Sequence, residues 1–181
     1  MPVLKEKTEI MDNVQVSKVI KRIAYEILEH SKSTDNMVFI GIQTRGAVLA
    51  RALARCIKEN ENIDIPVGSM DITFYRDDLT MLAEHPVIND NDIPFDIYNK
   101  NVILVDDVLY TGRTIRAAIE ELFDMGRPDA VRLAILIDRG HHELPISADY
   151  IGKNVPVAKN EKINMEVEND DIKRVTICEM L

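Results

Sequence analysis

The sequence predicts an α/β fold: a parallel sheet flanked by helices on both faces, with a small flap built from the C-terminal part. Three observations carry that expectation. Short apolar runs (Met37 to Ile42, Val102 to Val105, Val131 to Ile137) have the pattern of strands buried on both faces. Segments with helical apolar stripes lie between or before them. The spacing strand, helix, strand, helix, strand is that of βαβ units, whose crossovers place helices on both faces.

Residues 14 to 30 put Val16, Val19, Ile20, Ile23 and Ile27 on one stripe, with Asp12 or Asn13 as the cap. After the run at Met37, a helix from about Gly46 buries Leu49, Ala50, Leu53, Ala54 and Ile57. A second strand is expected over Val67 to Phe74, and residues 75 to 98 then lose periodicity. The strand Val102 to Val105 ends in Asp106-Asp107. Thr114 to Met125 reads as a helix stopped by Gly126 and Pro128. Past Asp138 the chain turns irregular, with strand-like pieces near Tyr150, Ile163 to Val167 and Val175 to Cys178. Residues 1 to 181 are expected to form one domain, with a lid at about 75 to 96 and a hood at about 138 to 165.

Composition narrows the function classes. The 181 residues are 46% hydrophobic and 29% charged, with formal net charge −9. That charge disfavours indiscriminate binding to nucleic acid or anionic membrane, while leaving room for a local basic patch. The longest stretch without charge, Asn36 to Thr44, falls well short of the roughly 20 residues that span a bilayer. The start of the chain carries Lys5, Glu6, Lys7 and Glu9, so an apolar signal core is missing there, and a cytoplasmic protein is expected. Cys56 and Cys178 lack metal-ligand spacing and read as idle thiols of a reducing compartment.

In such folds ligands gather beyond the carboxyl ends of the strands, so the loops Gln43 to Gly46, Asp106 to Gly112 and Asp138 to Gly140 are expected to meet at the site. The segment Val102-Ile-Leu-Val-Asp-Asp-Val-Leu-Tyr-Thr-Gly-Arg-Thr114 joins three devices. A buried strand delivers two adjacent carboxylates. A loop with Thr111, Gly112 and Thr114 follows and opens a helix. Amide groups at a helix start are unpaired and lie at the positive end of its dipole, which suits a phosphate. Asp106 and Asp107 can accept hydrogen bonds from vicinal hydroxyls, so phosphate and ribose diol together describe a 5-phosphoribose. The Walker A and dinucleotide-binding glycine patterns are absent.

This segment resembles the signature of the type I phosphoribosyltransferases. Thr44-Arg45-Gly46, Asp71-Ile-Thr-Phe-Tyr-Arg-Asp-Asp78, Asp138-Arg-Gly-His141 and Ala148-Asp-Tyr-Ile-Gly-Lys-Asn154 resemble segments of the PyrR family, in which a uracil phosphoribosyltransferase also serves as a pyrimidine operon regulator. The likeness covers roughly residues 10 to 165. It implies transfer of phosphoribosyl from 5-phosphoribosyl 1-pyrophosphate (PRPP) to uracil, giving UMP and pyrophosphate. It also implies Mg²⁺ held mainly by PRPP, and a homodimer or larger homo-oligomer.

The resemblance distributes roles residue by residue. Thr44, Arg45 and Gly46 would hold the pyrophosphate. Asp106 and Asp107 would meet the ribose, and Val108, Leu109, Tyr110, Thr111, Gly112, Arg113 and Thr114 would complete the PRPP-binding segment. Arg76, inside the lid, would neutralise departing pyrophosphate. Ile137, Asp138 and Arg139 would supply the base pocket through main-chain groups. Purine-specific relatives call for an aspartate where this chain has Tyr110, which fits a pyrimidine. His141 and His142 read as exposed loop histidines. Lys18, Lys21 and Arg22, with Lys153 and also Arg139, Lys159 and Lys162, are candidates for a patch that binds the leader mRNA of a pyrimidine operon. Two alternatives stay open: an RNA-binding attenuation protein with residual activity, and a phosphoribosyltransferase for another base.

Overall fold

The structure is a computed structural model, which describes residues 4–72 and 91–180, without the side chain of Met180. The chain runs β1 (Leu4–Met11), α1 (Asn13–His30), β2 (Met37–Ile42), α2 (Arg45–Glu61), β3 (Val67–Met70), β4 (Asn101–Leu109), α3 (Arg113–Met125), β5 (Ala130–Asp138), β6 (Tyr150–Asn154), β7 (Glu161–Glu168) and β8 (Asp171–Met180).

Five strands form a parallel sheet in the order β3-β2-β4-β5-β6. Alternation along the strands assigns its faces. Phe39, Ile103, Val105, Ala134 and Leu136 pack with α1 and α2, through Ile23, Ile27, Leu49 and Leu53. Val38, Ile40, Val102, Leu104 and Ile135 pack with α3, through Ile115, Ala118 and Leu122. Both faces are therefore covered, which is why these strands read as continuous apolar runs. Each Leu or Ile so buried contributes on the order of 1.5–3 kcal/mol.

Local chemistry sets the helix ends. Asp12 caps α1: its Oδ1 accepts from Gln15 N at 2.8 Å, and Gln15 Oε1 accepts from Asp12 N at 3.0 Å, a reciprocal capping box. Gly126 ends α3 as read, its N–H donating to Leu122 O.

The first and last strands build a second sheet, antiparallel and ordered β1-β8-β7. Ile10, Met11, Ile163, Met165 and Val175 join it to the α1–α2 side of the core. Arg51 and Arg55 of α2 grip its hairpin: Arg51 Nε donates to Asp170 Oδ2 at 2.8 Å, and Arg55 lies 3.7 Å from Asp171.

Three boundaries differ from the sequence reading. β4 does not stop at the acidic pair but continues to Leu109, because Val108 and Leu109 still pair with Ile137 and Asp138 of β5. β3 ends at Met70; Phe74 lies outside the described residues. The segment 138 to 165 is divided: β6 extends the parallel sheet beside β5, and only its last part enters the hood, which is completed by residues 166–180 and by the N-terminal strand.

The expected lid falls mostly outside the described residues. Its described part begins at Asn91 and Asp92, where Asp92 exchanges backbone hydrogen bonds with Ser69 of the edge strand β3, at 2.8 and 2.9 Å.

Candidate active site

Three loops meet beyond the carboxyl ends of β2, β4 and β5. The loop at Thr44–Gly46 abuts the acidic pair so closely that a Cβ on Gly46 would lie 2.6 Å from Val105 O and 3.0 Å from Asp106 Oδ1. Only glycine allows that approach. The β5 loop is tied to the end of β4 by Arg139 N–H donating to Leu109 O at 3.1 Å.

Asp106 is 4% exposed and Asp107 half-buried. Each is oriented by the next amide: Asp107 N donates to Asp106 Oδ1 and Val108 N to Asp107 Oδ1, both at 2.9 Å. Gly112, the N-cap of α3, takes φ 92°, a left-handed value natural to glycine. That turn opens α3, whose first amides lack partners within the helix. Thr111 Oγ1 accepts from Arg113 N at 3.3 Å, and Thr111 O accepts from Glu143 N and Leu144 N at 2.9 and 3.2 Å. The stretch 143–144 is thus laced to the outer side of the loop, and Arg113 turns to Glu143 at 3.1 Å.

The expected base-side residues form a compact cluster. Arg139 is 6% exposed, its Cζ 4.0 Å from the centroid of the Tyr110 ring. Its Nη2 donates to Ala158 O at 3.0 Å, while its buried Nε has no hydrogen-bond partner among the described residues. Burial presses the Arg139 pKa below the usual arginine value, with Tyr110 and Glu161 opposing that trend. Asp138 spends its carboxylate locally, accepting from Gly140 N and lying 2.9 Å from His142 Nε2. Its carbonyl accepts from Val155 N at 2.9 Å. His141 is exposed on its loop, as read; its Nε2 is 2.9 Å from Val157 O and its ring stands edge-on to Tyr110. Ile137 is fully buried.

Thr44 and Arg45 are exposed at the start of α2, and Arg45 Nη2 donates to Asn164 Oδ1 of β7 at 2.9 Å. Arg76 lies outside the described residues. Sequence reasoning missed Val157, Ala158, Glu161 and Asn164, which reach the site from the hood and the segment before it. Among them only Glu161, an acidic residue opening an apolar alternation, carried a signal.

Two of the four leading basic candidates are committed within the fold. Arg22 donates to Ile151 O at 3.1 Å and to Gly152 O, covering the free edge of β6. Lys153 Nζ donates to Ile10 O at 3.3 Å. Lys18 and Lys21 are exposed on α1.

The sheet order, the acidic pair and the glycine-led helix start define a phosphoribosyltransferase, and the phosphoribosyl transferase domain model matches residues 6–171. Solved hypoxanthine phosphoribosyltransferases share the fold. The Trypanosoma cruzi enzyme has TM-score 0.73 at 16% identity, covering 97% of this chain and 98% of that one. The Staphylococcus aureus enzyme has TM-score 0.68 at 21% identity, covering 84% of this chain and 79% of that one. The chain belongs to the PyrR family. It is 54% identical to the bifunctional protein PyrR of Acetivibrio thermocellus over 97% of this chain and 96% of that protein. It is 48% identical to that of Deinococcus radiodurans, over 91% and 90%. Among the described residues, no helix is long and apolar enough to cross a membrane.

Proposed function

We propose that the chain is a PRPP-dependent uracil phosphoribosyltransferase that also regulates a pyrimidine operon by binding its leader mRNA in response to UMP. The observation that carries the catalytic half is the packing of the Gly46 loop against Asp106, with the α3 start beyond it: an acidic pair flanked by two helix N-termini. The diphosphate of PRPP would lie at Thr44–Gly46, its 5-phosphate at Thr111–Thr114, and its ribose hydroxyls at Asp106 and Asp107.

The chemistry then follows from charge. As the bond from C1 of the ribose to pyrophosphate breaks, the electron pair leaves with the pyrophosphate and the sugar gains oxocarbenium character. The two carboxylates lie beneath that developing positive charge and stabilise it. N1 of uracil attacks the opposite face and loses its proton as the new bond forms. Arg76, from the segment expected as lid, neutralises the departing pyrophosphate.

The donor set suits Mg²⁺ that arrives with PRPP: Asp106 and Asp107 offer hard oxygens, and no three His, Cys, Asp or Glu side chains among the described residues converge as a ready-made cage. Bound there, the ion would offset charge on the diphosphate and the hydroxyl oxygens.

The base pocket rests on Arg139 and Tyr110. An arginine with a buried, unpaired Nε–H is ready to donate to a carbonyl, and uracil offers two. Tyr110 spends its ring face on Arg139 instead of presenting an acid to a purine nitrogen. Incubation with PRPP, Mg²⁺ and, in turn, uracil, orotate and guanine tests the assignment. Nucleotide from uracil alone supports it, and nucleotide from guanine alone moves the protein to the purine class. The regulatory half is supported by family membership and by exposed Lys18 and Lys21, and is tested by titrating leader RNA with and without UMP.

A further inference from the structure

Glu161 opens β7 at 8% exposure, far from the acidic pair in sequence. Its Oε2 accepts from Ala158 N at 2.9 Å, and its Oε1 is held by Lys7 of the N-terminal strand. Ala158 O is in turn the shared acceptor for Glu161 N, at 3.1 Å, and for Arg139 Nη2, so Lys7, Glu161, Ala158 and the guanidinium over Tyr110 are linked by successive hydrogen bonds. Glu161 is also the one carboxylate among the leading influences on Arg139, and Lys7 and Arg139 both act on it in return. A buried cation needs such a counter-charge, because the interior screens poorly.

We propose that Glu161 is the positioning residue for Arg139 and that its charge, moderated by Lys7, sets the preference of the pocket for a neutral base over a carboxylated one. The inference rests on the reading of Arg139 and Tyr110 as the base pocket. A bare arginine in a closed pocket would attract an anionic base such as orotate. Glu161 offsets that attraction and fixes the direction of the Nε–H bond, which favours uracil. Specificity here comes from repulsion as well as fit.

The deciding quantity is the affinity for orotate relative to uracil, measured as competitive inhibition against uracil at saturating PRPP. Glu161→Gln keeps an acceptor for Ala158 N and removes the charge. It is expected to raise KM for uracil about fivefold to tenfold, to leave KM for PRPP within about twofold, and to shift the ratio about tenfold or more toward orotate. Lys7→Met leaves the Glu161 charge less neutralised and is expected to shift the ratio the other way, by about threefold; it carries the test if the first variant does not fold. Glu161→Asp is expected to keep the wild-type ratio. A ratio within about twofold of wild type in both of the first two variants overturns the proposal, as does a parallel rise of both KM values, the mark of a simple structural clamp. Absence of uracil turnover in the wild type overturns the base-pocket reading itself.

Discussion

Gly46, in the first turn of α2, lies directly against Asp106 of β4: a Cβ at residue 46 would fall 3.0 Å from Asp106 Oδ1 and 2.6 Å from the carbonyl of Val105. The start of α2 and the acidic end of β4 therefore cannot be moved independently. Gly46→Ala must push one of them aside, at a cost of about 1–3 kcal/mol. Activity is expected to fall more steeply than stability. Steady-state kinetics beside thermal melting checks this; activity retained with a normal melting temperature would show that the two loops need not meet.

Asp107→Asn preserves an acceptor for Val108 N, so the loop keeps its shape. On the proposed mechanism, what is lost is one negative charge beneath the reacting carbon. A fall in kcat of about 100-fold or more is expected, with stability changed by less than about 1 kcal/mol.

The β7–β8 hairpin turns on Asn169 and Asp170, with φ 52° and 60°. Asp170 accepts from Arg51, and that hydrogen bond holds its pKa below the usual carboxylate value. A depressed carboxylate contributes stability above its unfolded pKa of about 3.9, and the contribution vanishes as pH drops through the folded value. Because Asp170 is 45% exposed, solvent limits the contribution to less than about 1 kcal/mol. Asp170→Asn should melt slightly below wild type near neutral pH, and the gap should close on acidification below about pH 4.

Lys18 and Lys21 are exposed, whereas Arg22 is tied to the carbonyls of Ile151 and Gly152. Replacing both lysines by alanine is expected to weaken leader-RNA binding and lower its log–log salt slope by about 1.4–1.8, leaving uracil transfer intact. Arg22→Ala is expected to reduce thermal stability, by uncovering the β6 edge.

The parallel sheet was legible because its strands are buried on both faces, and runs such as Val102 to Val105 admit few other readings. The segment Asp106–Thr114 was legible for a different reason: its acidic pair, threonines and glycine match a family signature, and Gly112 takes a left-handed φ of 92° natural to glycine. The hood was harder. Leu4–Met11 carries charges along most of its length and is buried only at Ile10 and Met11, so no apolar period marks it as a strand. Its partner β8 lies at the other end of the chain, a pairing that local pattern cannot foresee. For the same reason the side-chain contacts of Arg139 with Ala158 and Tyr110 could not be foreseen from the sequence.

The central claim is that the Asp106–Asp107 pair and the amides opening α3 grasp opposite ends of one phosphorylated ribose. A crystal structure of the protein with UMP tests it most directly. The account predicts the phosphate within hydrogen-bonding distance of the amides of residues 111–114, with both ribose hydroxyls at Asp106 and Asp107. UMP seated elsewhere, or a phosphate remote from those amides, would contradict it.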